Sequence, residues 1–319
     1  AQGVPSYSLS EKELVVSGDG FKYVFNRTDG QLTSMVVQDM ELLESPLRLN
    51  LWRAPLANEL DNWNASSDRS SNWKEGYGYT VATEMYSAGI DRLTHQPLSF
   101  SVSETTEGVH IHIIDAELMG KGEKEKKDLY IEGVQNNGII NHYEYIINSE
   151  GTIEIRHVLK PEGKMPLWFP RIGLTLTVSD ALDQVKWYGR GPQENYPDRK
   201  TGYPTGIYAS TVQAMYEPYL MPQDYGLRTD VRWLQLTTDK GIGLQFKMNE
   251  WFNFNIYPYS TDNLTKAMYT YQLQKQKGMT LNLDYATTGV GCTARGVFGA
   301  YKAMPQEYRR TISIRPMMK

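Results

Sequence analysis

Short segments of alternating apolar and polar residues follow one another along most of the chain, and this pattern constrains the fold more than any other feature. Residues 21–25 alternate, and residues 32–37 return after Asp29-Gly30, a dipeptide typical of tight hairpin turns. Similar segments occur at residues 109–113, 153–158, 174–178, 233–236, 242–246 and 311–314. Successive side chains of a strand point to opposite faces, so each segment can bury one face. Many such strands between turn signals predict an all-β antiparallel sandwich.

The domain organisation is constrained by length and by the lack of linkers. A chain of 319 residues is long enough for one domain or two. We see no internal repeat and no low-complexity linker, so we expect a single domain over residues 1–319. Helical periodicity is nearly absent, and only residues 210–216 are expected to form a turn or two of helix. The long polar stretch at residues 58–78 predicts a functional or mobile loop.

Charge and cysteine content exclude several classes of function. The net charge is −4 and the basic residues are scattered, which argues against a nucleic-acid partner. The basic run at residues 121–127 is interrupted by acidic residues and predicts a solvated loop. No apolar run approaches a membrane span, so we expect no membrane partner. Cys292 is the single cysteine and is expected to be a small buried apolar residue.

Residues 187–199 carry the densest polar cluster of the chain. A strand-like start at Trp187-Tyr188 breaks at Gly189, Gly191 and Pro192, where the backbone must turn. Polar and charged residues follow directly: Gln193, Glu194, Asn195, Asp198 and Arg199. They could form an internal hydrogen-bond and ion-pair network, or they could bind a polyhydroxylated ligand. Chemistry alone favours the internal network, with Arg199 paired to a carboxylate.

This cluster closely resembles a signature of the C-terminal small-chain domain of family-two β-galactosidases. Residues 51–59 resemble the early Trp-Arg-Ala-Pro motif of that domain, and Arg171-Ile172-Gly173 also fits. Residues 219–233 are similar to its Pro-Gln-acid-x-Gly-x-Arg segment. The motifs occur in family order, and the resemblance covers nearly the whole chain. It implies a very large antiparallel β-supersandwich, similar to that of galactose mutarotases.

The resemblance also implies that this chain lacks the catalytic machinery of the intact enzyme. In the family, both catalytic glutamates lie in a preceding barrel domain, which would be the partner of this chain. Retaining glycoside hydrolysis needs two carboxyl groups about 5 Å apart. The candidate pairs here are Glu194 with Asp198 and Glu59 with Asp61, and each is beside an arginine or in an open polar loop. We therefore expect no catalytic residue in the chain.

A loop near the C-terminus is expected to reach the active site of the parent enzyme. Residues 289–298 match the Gly-x-Gly start of a family loop that contacts the sugar through a tryptophan, but that tryptophan is missing here. Arg295 or Phe298 would replace it and point outward, on a mobile segment at residues 292–298. The alternative is that Val290 and Phe298 anchor the loop in the core.

Other residues are candidates for ligand contacts. The predicted carbohydrate-binding residues are Arg53, Asn58, Trp63, Glu194, Asn195, Asp198, Arg199 and Arg295. Trp63 and Trp73 are expected to be exposed platforms for a sugar, whereas Trp52, Trp187 and Trp233 lie on strand-like segments and are expected in the core. His110 and His112 share one strand face, but no third metal ligand lies near them in the sequence. We therefore predict no metal and no cofactor.

The sequence thus predicts the C-terminal, non-catalytic domain of a β-galactosidase, which completes the rim of the active site and contributes to domain or oligomer contacts. Its expected partners are the barrel domain and a β-galactoside or other carbohydrate. One alternative is a free-standing carbohydrate-binding module. Another is an aldose mutarotase, which would need an acid and a base facing one cleft, for example a histidine with a glutamate.

Overall fold

The structure is a computed structural model, and it describes residues 4–60, 85–86, 88–120, 137–291 and 296–319. A first sheet lies at the N-terminus and contains five antiparallel strands in chain order. These are β1 Ser6–Leu9, β2 Glu13–Gly18, β3 Phe21–Asn26, β4 Gln31–Val37 and β5 Met40–Glu41. The hairpin predicted at Asp29-Gly30 is confirmed, because β3 pairs with β4 around that turn.

The second sheet contains twelve strands and carries most of the chain. They are β6 Leu43–Asn50, β7 Thr94–Thr105, β8 Gly108–Leu118, β9 Gly138–Ile147, β10 Ile153–Glu162, β11 Arg171–Val178, β12 Gln184–Arg190, β13 Thr205–Thr211, β14 Arg228–Thr237, β15 Gly243–Tyr259, β16 Lys275–Thr287 and β17 Tyr308–Met317. Short helical segments connect some of the strands: α1 Ala57–Leu60, α2 Thr261–Lys266 and the 3-10 turns Thr270–Gln272 and Gly299–Tyr301.

Strand pairing in the large sheet is antiparallel and often joins strands distant in sequence. The order is β13-β12-β14-β15-β17-β10-β9-β8-β7, and β11 pairs with both β16 and β6 beside this path. The described residues therefore confirm the predicted all-β antiparallel class. The central position of β15, β16 and β11 brings together chain segments that are remote in the sequence.

The main apolar core contains residues of both sheets. Tyr23 and Phe25 of the small sheet are fully buried, and the ring of Phe25 meets that of Tyr145 edge-on at 5.1 Å between centroids. The Tyr23 hydroxyl donates to the Gly151 carbonyl at 2.7 Å, which satisfies the polar end of a buried ring. Alternation along β3, β4 and β10 places the apolar residues in this core and the polar ones outside.

Two local predictions are wrong. The helix expected at residues 210–216 is absent, because Thr205–Thr211 is strand β13, which pairs with β12, and residues 212–215 form a turn. Trp233 is half-buried and lies on the outer face beside Tyr188, since its neighbour Leu234 takes the core side. Trp52 and Trp187 are buried as expected.

Within the described residues, no helix has the length and apolar character required to span a membrane.

Candidate functional site

Three motifs that are far apart in the sequence meet at residues 288–291, the start of the loop after β16. Arg53 donates from its two terminal nitrogens to the carbonyls of Thr288, at 2.5 Å, and Gly289, at 3.1 Å. Asn58 donates its amide to the Val290 carbonyl. These two side chains thus bind three successive carbonyl groups of the loop.

Asp198 binds the N–H groups of the same segment. Its carboxylate accepts the backbone N–H groups of Val290 at 2.9 Å and Gly291 at 2.7 Å. Asp198 is held in a tight turn, in which the Arg199 N–H donates to the Tyr196 carbonyl at 2.8 Å. Hydrogen bonds from backbone N–H groups to an ionised carboxylate are stronger than those to neutral acceptors. We call Arg53, Asn58 and Asp198, with residues 288–291, the loop clamp.

Arg53 is held in place by an ion pair with Glu59. Its Nη2 lies 2.8 Å from Glu59 Oε1, and the other Glu59 oxygen accepts the Leu56 N–H at 2.9 Å. The guanidinium is fully buried. Burial opposes its charge, but Glu59 and Asp224 outweigh burial and hold the pKa of Arg53 above its usual range. The clamp therefore contains a permanently charged donor.

A buried ionic cluster lies on the strands that lead to the clamp. Arg171 lies 3.1 Å from Asp284 and 3.4 Å from Asp224, and all three side chains are fully buried. Burial raises the pKa of Asp284 to about 6 although Arg171 opposes the shift, and burial likewise raises the pKa of Asp224. Asp284 also accepts the Thr287 hydroxyl at 2.7 Å, directly before the clamp.

The sequence reasoning only partly identified this ionic cluster. Arg171 and Asp224 lie in motifs that carried the family resemblance, but Asp284 was not singled out. Asp284 lies on β16, whose residues from Gly278 to Tyr285 are all buried, so no alternation marks it as exceptional.

The network predicted after Pro192 is internal for Glu194 and Asn195. Glu194 is buried and accepts the Gly226 N–H at 2.8 Å, the Tyr219 hydroxyl and the Arg199 guanidinium at 2.9 Å. Asn195 is fully buried and accepts the Thr229 N–H at 3.3 Å. The expected pairing of Arg199 with a carboxylate is confirmed, but 47% of the Arg199 side chain is exposed.

That exposure reduces the expected effect of removing Arg199. We expect Arg199→Ala to lower the free energy of unfolding by about 1 kcal/mol, because solvent screens the pair. A fully buried pair would lose about 3–5 kcal/mol on removal of one partner. Urea denaturation measures the difference, with the exposed Arg309→Ala as control, whose partner Glu307 is also partly exposed. A loss above about 3 kcal/mol would contradict the half-exposed position.

Position 289 requires glycine because a larger side chain would collide with a neighbouring group, not because of its backbone conformation. A Cβ atom built on Gly289 would lie well inside van der Waals distance of the Asp198 carboxylate, whereas one on Gly299 meets nothing within 4 Å. We expect Gly289→Ala to destabilise the protein by about 1–3 kcal/mol through overpacking. Amide exchange at Val290 and Gly291 should accelerate as Asp198 moves away.

Gly299→Ala is the matched control for this prediction. The same change in open space should stay within about 0.5 kcal/mol of the wild type and leave the exchange rates unchanged. Equal behaviour of the two variants would show that Asp198 does not depend on the missing Cβ of Gly289.

The loop beyond the clamp is only partly described. The Gly289 N–H donates to the Tyr301 carbonyl at 2.8 Å, so the two ends of the loop are tied together. Phe298 is 71% exposed, which contradicts the alternative that it anchors the loop in the core, and Val290 is half-buried. Arg295 and Cys292 lie outside the described residues, as do Trp63, Trp73, Asp61 and the run at 121–127. The predicted mobility of residues 292–298 stays a prediction.

The histidine pair has a potential third ligand after all. Glu144 lies across from His112 in the pairing of β8 with β9, and His110, His112 and Glu144 place ligand atoms within 4.8 Å of one another. The Thr105 hydroxyl contacts His110 Nε2 at 2.9 Å, and Glu144 also pairs with Arg156. His110 and Glu144 already have protein partners, and we assign no ion to the three groups.

The fold and the loop clamp define a class of protein: a large antiparallel sandwich domain that presents an anchored loop at its surface. The profile of the family described as "Beta galactosidase small chain" matches residues 17–314. The chain therefore belongs to the β-galactosidase small-chain family, and the resemblance seen in the sequence is confirmed.

Curated relatives are much longer than this chain. A β-galactosidase of Priestia megaterium is 32% identical over 282 residues, which cover 88% of this chain and 24% of that protein. A β-galactosidase of Pseudoalteromonas haloplanktis is 27% identical over 294 residues, covering 91% of this chain and 25% of that protein. The chain thus spans about a quarter of the length of these relatives.

Solved structures with a similar chain path are more distant. A galactose 1-epimerase from Lactobacillus acidophilus has a TM-score of 0.47 and 9% identity, with 98% of this chain and 97% of that chain covered. A putative aldose 1-epimerase from Escherichia coli K12 has a TM-score of 0.45 and 8% identity, covering 95% and 97%.

Proposed function

We propose that this chain is the C-terminal, non-catalytic domain of a family-two β-galactosidase and that its clamped loop forms part of the active-site rim. Its partner would be the catalytic barrel domain of the same enzyme, and the ligand at the rim a β-galactoside. The extent of the match supports a larger parent protein, because the β-galactosidase relatives are about four times longer. Residues 1–319 would act as a single domain, supported by one apolar core cluster that includes both sheets.

The observation that carries the proposal is the loop clamp. A buried arginine and a carboxylate hold four consecutive residues, 288–291, by their backbone groups. A loop without a function needs no such charge-assisted support, since loops generally tolerate variation and motion. A substrate-contacting loop does need it, because small displacements from the productive geometry greatly reduce rates.

The predicted binding residues then divide by burial into two groups. Arg53, Glu194 and Asn195 are buried and engaged, so their proposed role is to position the loop and the turn beside it. Asn58, Asp198 and Arg199 are at least partly exposed and lie at the clamp or next to it. Trp63 and Arg295 remain proposed contacts, and no cofactor is part of the proposed role.

A chimeric enzyme tests the proposal. The matching quarter of the Priestia megaterium β-galactosidase is replaced by this chain, and hydrolysis of an aryl β-galactoside is measured. We expect Asp198→Ala in the chimera to reduce kcat/KM about 100-fold, because the rim loop loses two backbone hydrogen bonds and shifts. Asp239→Ala is the control, since Asp239 is exposed and lies in the turn between β14 and β15, outside the clamp. Equal activity of the two variants in a folded chimera would reject the rim role.

A further inference from the structure

A concave site on the large sheet is lined by residues outside the loop clamp. A cavity of about 920 Å³ opens between the central strands β6, β11 and β16, the β7–β8 hairpin and helix α2. Small-molecule sites commonly measure about 300–1,000 Å³. The cavity therefore has room for a ligand of mono- or disaccharide size.

The floor of this cleft is polar on three adjacent strands. Strand register places Ser45, Thr177 and Thr280 in one cross-strand row, and Arg48 lies across from Thr175 in the next row. All five residues line the cavity. Neighbouring residues of the same strands, among them Leu47, Leu174 and Leu281, are buried in the apolar core. The hydroxyls of Thr175 and Thr280 already donate to backbone carbonyls. The cleft floor thus offers the hydroxyls of Ser45 and Thr177 and the guanidinium of Arg48 at fixed strand positions.

The charges around the cleft are almost completely paired. The cavity is lined by Asp91 with Arg92, by Asp262 with Lys266 and by Glu117 with His95, and each pair is an ion pair in the structure. Arg48 is the one charged lining residue that forms no ion pair among the described residues. A site with so little net charge does not suit a polyanion or a polycation. It suits a neutral ligand with many hydroxyl groups.

One wall of the cleft carries a histidine–glutamate pair, the example given for the acid and base of the mutarotase alternative. His95 Nδ1 lies 2.8 Å from Glu117 Oε1, and the other ring nitrogen lies 2.6 Å from the Asp29 carbonyl, to which it donates. The bond to Glu117 is the main cause that raises the pKa of His95 to about 9, so the imidazole is charged at neutral pH. Glu117 Oε2 accepts no hydrogen bond from another described residue, and Glu117 lines the cavity although only 5% of its side chain is exposed.

We propose that this cleft binds a neutral polyhydroxylated ligand, a mono- or disaccharide, between the hydroxyl-bearing floor and the His95–Glu117 wall. Arg48 and the Glu117 carboxylate serve as donor and acceptor for ligand hydroxyls. This site does not depend on the role of the clamped loop, and it can be tested with the chain by itself.

The test is direct binding of galactose, glucose and lactose to the purified chain, measured by calorimetry and saturation-transfer NMR. We expect saturable binding with a Kd of about 1 mM for at least one sugar, which is ordinary for a polar, open site. Ser45→Tyr should block the cleft from an exposed position, and Arg48→Met should remove its free donor. Each should weaken binding about tenfold or more.

Matched variants on exposed strand positions outside the cleft control for the substitutions themselves. Ser103→Tyr and Arg315→Met change the same residue types outside the cavity lining and should leave the affinity unchanged. Absence of saturable binding in the wild type overturns the proposal, and so does binding that survives both cleft variants. Binding of inorganic phosphate in place of the sugars would show that the ligand class is wrong. If Ser45→Tyr does not fold, the comparison of Arg48→Met with Arg315→Met decides.

Discussion

Arg171→Met should lower the free energy of unfolding by about 3–5 kcal/mol at neutral pH. The substitution keeps the length of the side chain but removes the cation between Asp224 and Asp284, which are both fully buried. The two carboxyl groups then share a buried site with no positive charge between them. The cost of removing them from water is no longer offset by Arg171. Urea denaturation at several pH values measures the loss.

The pH dependence gives this prediction a second readout. Burial raises the pKa of Asp284 to about 6 even with Arg171 present, so the native state keeps a proton that the unfolded state releases near pH 4. Stability from this group is therefore present at low pH and is lost as the pH rises towards 6. Without Arg171 the folded pKa rises further, so the loss of stability should be smaller at pH 5 than at pH 8.

Arg156→Met is the matched control for the buried cluster. Arg156 also pairs with two carboxylates, Glu144 and Glu154, but about half of its side chain is exposed. Exposed pairs contribute about 0–1 kcal/mol, so this variant should remain close to the wild type at all pH values. Similar losses for the two variants would contradict the difference in burial.

The isolated chain should not hydrolyse aryl β-galactosides. Each candidate carboxylate that the structure describes is occupied by protein donors: Glu194 by three, Asp198 by two backbone N–H groups and Glu59 by Arg53 and the Leu56 N–H. A nucleophile must be free to attack, and an acid catalyst needs a raised pKa, which an arginine partner opposes.

Release of the aryl group from a chromogenic β-galactoside, with a full-length β-galactosidase as positive control, measures this expectation. Turnover in the enzymatic range of about 1–1000 per second by the purified chain would reject the non-catalytic role. The candidate catalytic residues would then include those around Asp61, which lie outside the described part of the chain.

Much of the fold follows from local pattern. Alternation with period two identifies strands and their inward faces, and dipeptides such as Asp29-Gly30 identify hairpins, because both depend only on neighbouring residues. The same local logic predicted that Glu194 and Asn195 would be used internally. The local pattern gave a wrong prediction at residues 210–216, because pairing with β12 stabilises a strand up to Thr211 where the sequence shows a weak helical pattern.

The sequence by itself therefore determined the all-β class, most strand positions and the family. The tertiary structure decided which side chains meet: Glu144 beside His110 and His112, Asp198 beside Val290, and Asp284 beside Arg171. The physical reason is that alternation shows which face a residue takes but not which strand will lie alongside. Burial is likewise a property of the assembled chain, so the strength of an ion pair such as Arg199 with Glu194 is set only once its surroundings are in place.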